Sequence, residues 1–153
     1  MEIKVLSKKE DDTISLGEKI GKFLKPGDLV LIYGDLGTGK TTFVKGLAKS
    51  LKVPSNLYIT SPTFSIINIY EGIYTIYHID LYRLDPEDVE ELNFWEYLTQ
   101  GILVIEWADK ISEHPTENFL EINFKLVNSH REITIIGYGE MKHILKVLDL
   151  NEE

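Results

Sequence analysis

A three-layer α/β domain on a mixed, partly antiparallel central sheet is predicted from three observations. Residues 34–41 read Gly34-Asp-Leu-Gly-Thr-Gly-Lys-Thr41, set between an apolar strand-like run at 28–33 and a helix-like run at 42–51. A glycine-rich loop joining strand to helix is the core unit of α/β folds that hold phosphates. Residues 102–107, Ile-Leu-Val-Ile-Glu-Trp, are almost wholly apolar, as a central strand covered on both faces must be. Residues 119–127 and 132–138 instead alternate apolar and polar, which suits an antiparallel pair. Together they predict a P-loop NTPase-like fold with more antiparallel pairing than a doubly wound sheet.

In chain order, residues 2–6 form a short first strand. Residues 10–24 follow as a helix, with Ile14, Ile20, Phe23 and Leu24 as its buried stripe, ended by Pro26-Gly27. The glycine-rich loop and its helix come next, then a loop ending at Ser61-Pro-Thr-Phe64. Residues 65–70 and 73–80 read as a β-hairpin turning at Glu71-Gly72, where glycine tolerates a positive φ. Residues 86–98 read as one helix opened by Pro86, and residues 142–148 as a closing helix. No repeat, linker or low-complexity tract divides the 153 residues, so one domain spanning 1–153 is expected.

The charge pattern narrows the function. The net charge is −9, the wrong sign for a chain that grips nucleic acid unaided. Residues 1–52 carry ten lysines against seven acids, whereas residues 71–117 carry twelve acids against two basic residues. That acidic middle is either a solvated face or a docking face for a basic partner. Cysteine is absent, which excludes disulfides and thiolate metal sites. No apolar run approaches the roughly 20 residues that span a bilayer, and the mixed N-terminus does not resemble a signal peptide. A cytoplasmic protein without membrane contact is expected.

The loop at 34–41 matches G-x-x-x-x-G-K-[ST], so nucleoside triphosphate binding is expected. Its backbone N–H groups and the following helix N-terminus face the phosphates. Lys40 is placed for the β- and γ-phosphates and the Thr41 hydroxyl for Mg2+. A strand-end carboxylate must complete such a site, and Asp80 and Glu106 both end apolar runs; spacing alone does not choose between them. Thr63 is either a γ-phosphate sensor or a local turn hydroxyl. His78 reads as a base or a core residue, and Trp107 as core. Only Arg83 and Arg131 carry guanidinium groups, and no Asn-Lys-x-Asp guanine-reading motif occurs. Two arginines ill suit a small-molecule kinase, the main alternative beside a non-hydrolysing nucleotide-gated adaptor. Slow intrinsic ATP hydrolysis, raised by a partner, is expected.

Four motifs in this order, Gly34-Asp-Leu-Gly-Thr-Gly-Lys-Thr-Thr-Phe43, Ser61-Pro-Thr-Phe64, His78-Ile-Asp-Leu-Tyr-Arg-Leu84 and Ile105-Glu-Trp107, resemble the bacterial TsaE (YjeE) family over nearly the whole chain. The resemblance implies an ATPase needed for the threonylcarbamoyladenosine modification of tRNA, acting on a complex of TsaD and TsaB and touching tRNA only through it. It implies ATP and Mg2+ as cofactors. Gly37, Thr38, Gly39, Lys40, Thr41 and Thr42 would hold the phosphates, and Thr41 and Glu106 the Mg2+. Lys40, Asp80 and Glu106 would be the catalytic set, with Asp80 either supporting the metal ligands from behind or in a Walker B-like role. Thr63 would belong to a first switch and Trp107, with Glu106, to a second. Thr13 and Arg131 would contact the nucleotide by position. Thr38 stands where many members have alanine, a difference the backbone contacts of this position tolerate.

Overall fold

The computed structural model describes residues 1–35, 37–54, 59–62 and 66–151. The chain runs β1 (Glu2–Ser7), α1 (Glu10–Gly21), β2 (Leu29–Tyr33), α2 (Lys40–Ser50), β3 (Ile67–Glu71), β4 (Thr75–Asp80), α3 (Pro86–Glu91), β5 (Ile102–Glu106), β6 (Phe119–Val127), β7 (His130–Tyr138) and α4 (Lys142–Asn151). The seven strands form one sheet in the order β1-β7-β6-β2-β5-β4-β3. β2 pairs parallel with β5 and β6, and β5 parallel with β4. The flanks, β6–β7–β1 on one side and β4–β3 on the other, are antiparallel. The predicted three-layer architecture and mixed sheet are therefore found.

The apolar alternation of the central strands sorts the two cores. Val30, Ile32 and Val104 face α1, α2 and α4, meeting Leu16, Ile20, Phe43, Leu47 and Leu145. Leu29, Leu31, Leu103 and Ile105 face the opposite layer, meeting Val89, Phe94 and Ala108. Both faces of β2 and β5 are thus covered, which is why their sequences show no polar alternation.

Several local expectations are corrected. The buried face of α1 is Thr13, Leu16, Gly17, Ile20 and Gly21, with Ile14 only half-buried. The glycines bring two helices together: a Cβ on Gly17 would overlap the Phe43 carbonyl, and one on Gly46 the Ile14 carbonyl. The expected helix over 86–98 breaks at Leu92, whose backbone is extended, and resumes as a 3-10 turn over Phe94–Thr99. The hairpin turns over residues 72–74, and Glu71 pairs with Thr75. Gly72 does not adopt a positive φ; its bare Cα lets the Leu51 carbonyl approach and accept from the Ile73 N–H at 2.6 Å. β7 begins at His130, and its turn from β6 places Asn128 and Ser129 at φ 49° and 71°, as a two-residue hairpin turn of right-handed twist requires. Among the described residues no helix is long and apolar enough to cross a membrane.

Candidate active site

The site forms at the carboxyl ends of the parallel strands, where open α/β sheets expose their crevice. β2 delivers the glycine-rich loop there, β4 delivers Asp80 and β5 delivers Glu106. Register places Glu106 beside Ile32 on one side and Asp80 on the other. Both carboxylates are buried at 2% exposure.

Within the loop, Gly37 and Gly39 hold φ at 73° and 103°, a region where side-chain-bearing residues are strained. Gly39 is the N-cap of α2 and offers no side-chain cap, and the helix's first turn carries no acid. A helix start of this kind leaves backbone N–H groups and the positive end of the macrodipole to an anion. The Lys40 ammonium donates to the carbonyls of Gly34 and, at 3.1 Å, Asp35, and lies 4.0 Å over the Trp107 ring. Burial pushes the Lys40 ammonium below its ordinary value, while Glu106, Asp80, Asp35 and Asp109 oppose that shift. Thr38 donates its hydroxyl to the Asp35 carbonyl at 2.8 Å.

The Thr41 hydroxyl donates to Glu106, 3.2 Å from Oε2 and 3.4 Å from Oε1. Asp80 instead accepts from the Ser61 hydroxyl at 2.7 Å and the Tyr82 N–H at 2.8 Å. Spacing left the two acids equivalent; the structure separates them, since Glu106 meets the loop helix and Asp80 braces the segment around Ser61. A hydroxyl and a carboxylate are hard oxygen donors suited to Mg2+, which completes its shell with water and phosphate oxygens rather than a protein cage.

Arg131, from β7, donates through Nε to the Thr38 carbonyl and through Nη2 to the Gly37 carbonyl, each at 3.2 Å. Arg131, Thr13, Thr42 and Glu10 line a cavity of about 300 Å³ beside the loop. The structure thus brings Thr13 and Arg131 together, although the Thr13 hydroxyl is occupied by Ser7 at 2.6 Å. Trp107 begins a left-handed step at φ 59° and packs on Tyr82, with ring centroids 4.8 Å apart. Thr63 lies outside the described residues. A larger cavity of about 530 Å³, among Val89, Glu90, Trp95 and Ile111, includes none of the glycine-loop residues.

Sequence reasoning did not anticipate three contacts. Tyr82 flanks Trp107, and the Lys110 ammonium ties the Tyr82 and Leu84 carbonyls at 2.5 and 2.6 Å. The Nε2 atom of His78, fully buried in β4, meets Glu106 Oε2. The alternation of β4 gave a signal for the last, because His78 and Asp80 share a strand face and Glu106 lies in register beside Asp80.

Comparison with known proteins assigns the family. The family model described as "Threonylcarbamoyl adenosine biosynthesis protein TsaE" matches residues 7–133. The chain is 42% identical over 119 residues to a Nostoc protein named "tRNA threonylcarbamoyladenosine biosynthesis protein TsaE", covering 74% of this chain and 72% of that one. It is 38% identical to the Bacillus subtilis protein of the same name, covering 88% and 85%, and 39% identical to that of Aquifex aeolicus, covering 86% and 93%. The crystal structure of Bacillus subtilis YdiB superposes with a TM-score of 0.81 at 32% identity, covering 100% of this chain and 97% of that one. The chain belongs to the TsaE family.

Proposed function

We propose that the protein is a Mg2+-dependent ATPase of tRNA threonylcarbamoyladenosine biosynthesis, acting in the cytoplasm as one domain and stimulated by a TsaD–TsaB complex. The observation that carries this reading is the meeting of Thr41 and Glu106 beside Lys40. It supplies phosphate-binding backbone, a cation and a metal-binding pair in one place. Gly37, Thr38, Gly39 and Thr42 present N–H groups to the phosphates, and Lys40 exchanges its carbonyl partners for phosphate oxygens. Thr41 and Glu106 hold Mg2+, which when bound neutralises charge on the phosphates. Asp80 holds the Ser61 segment against the site. Thr13 and Arg131 border the nucleotide beyond the phosphates, and Thr63 and Trp107 respond to its state.

The need for a partner follows from the cations at hand. Arg131, one of only two arginines, donates to loop carbonyls, which favours added charge stabilisation from a partner. The test is ATP turnover with and without purified TsaD–TsaB. Stimulation is expected; equal rates would remove the partner claim, and phosphate transfer to a metabolite would make the protein a kinase. Lys40→Ala and Glu106→Ala should each lower turnover by roughly a hundredfold or more. Full activity in Glu106→Ala would refute the metal site as assigned.

A further inference from the structure

We infer that His78 is a positioning residue, whose Nε2–H fixes the Glu106 carboxylate in the orientation that meets Thr41. The inference rests on the metal-binding role proposed for Glu106. His78 sits in the middle of β4, in register with Asn68 and Val104, and has no exposed surface. Ile76, Tyr70 and Val104 belong to the apolar core on this side of the sheet, and the Tyr70 ring lies 6.1 Å from the imidazole. An imidazole there is costlier than a hydrocarbon unless its polar atoms are used. Among the described residues its Nδ1 has no hydrogen-bond partner, so the compensation comes from Nε2 and Glu106.

That one-sided satisfaction fixes the chemistry. A carboxylate only accepts, so Nε2 is the nitrogen that carries the proton in this contact. The terminal torsion of a glutamate is broad, and the Thr41 hydroxyl, at 3.2 and 3.4 Å from the two oxygens, does not select between them. The imidazole does, because it grips Oε2 alone. A fixed N–H donor orients the carboxylate, the usual service of an outer hydrogen-bond partner to a metal-binding group.

The test compares His78→Gln, which keeps an N–H donor, with His78→Met, of nearly the same shape and without one. Binding of a fluorescent ATP analogue is measured with Mg2+ and with chelator, alongside turnover and melting temperature. His78→Met should lose roughly tenfold or more of the affinity gained from Mg2+, with chelator-state affinity and melting temperature held. His78→Gln should recover most of that loss. Equal behaviour of the two variants, or a loss that tracks melting temperature, overturns the role. Nitrogen-15 NMR of the unmodified protein should find a proton on His78 Nε2; a bare Nε2 overturns the role too. Glu106→Gln separates the layers of the argument. Mg2+ dependence that survives Glu106→Gln refutes the metal site and His78's role together. Dependence lost there but intact in both His78 variants refutes His78's role alone.

Discussion

Lys40 is held by acceptors that a triphosphate can outbid. Its ammonium rests on two loop carbonyls and an aromatic face, all weaker partners than phosphate oxygens. Burial has already lowered its proton affinity, and four nearby carboxylates only partly restore it. The sign of the pH effect follows. The free protein loses the Lys40 proton at a pH below the ordinary 10.5, whereas a bound triphosphate favours the charged form. Nucleotide affinity should therefore fall as pH rises through that lowered value. Titrations across this range check it, and Lys40→Arg should flatten the slope because guanidinium stays charged. A slope unchanged by that substitution would assign the titration to another group.

At the scale of elements, the α1–α2 crossing is the feature most exposed to test. Gly17 and Gly46 face each other so closely that added Cβ atoms would meet backbone carbonyls, which cannot swing aside as a side-chain tip can. Alanine gains about 1 kcal/mol of helix propensity over glycine, but overpacking costs about 1–3 kcal/mol, so overlap with backbone should win. Gly17→Ala and Gly46→Ala are each expected to destabilise the fold, measured by urea unfolding; a stabilised variant would mean that the helices separate freely. The same crossing marks where the sequence was legible and where it was not. The glycine-rich loop between β2 and α2 could be read because its eight residues are contiguous and each answers a local demand. The α1 stripe was read only in part: Ile20 and Leu24 are core residues, but hydrophobicity does not flag a glycine buried for closeness or a Thr13 buried against Ser7. The break at Leu92 was equally hidden, since Phe94 and Trp95 continue a helical spacing that the chain abandons to pack Phe94 under the sheet. In the site, the strand-end acids were visible in sequence, but their different partners depend on register between β4 and β5.

The whole molecule converges on one crevice, and that gives ligand binding a global consequence. The loop after β2, the ends of β4 and β5, and Arg131 of β7 come from sequence positions spread between Gly34 and Arg131, yet meet at one end of a single sheet. A ligand bound there exists only when all these elements are assembled, so its binding energy adds to folding stability. For nucleotide at about a hundred times its dissociation constant the gain is about 2.7 kcal/mol. In a domain of this size each kcal/mol moves the midpoint by about 2–4 °C, so Mg2+-ATP should raise the melting temperature by roughly 5–10 °C. Chelating the metal should remove part of that rise, because Thr41 and Glu106 then lose their ligand while the loop N–H groups and Lys40 keep the phosphates. Glu106→Ala should show the smaller, chelator-insensitive shift, and Lys40→Ala little shift at any metal concentration. Thermal unfolding of the three proteins with ATP, with and without chelator, reads all of these outcomes. A full shift in the chelated unmodified protein would show that the strand-end carboxylate and the phosphate loop act independently, against the geometry that joins them at Thr41.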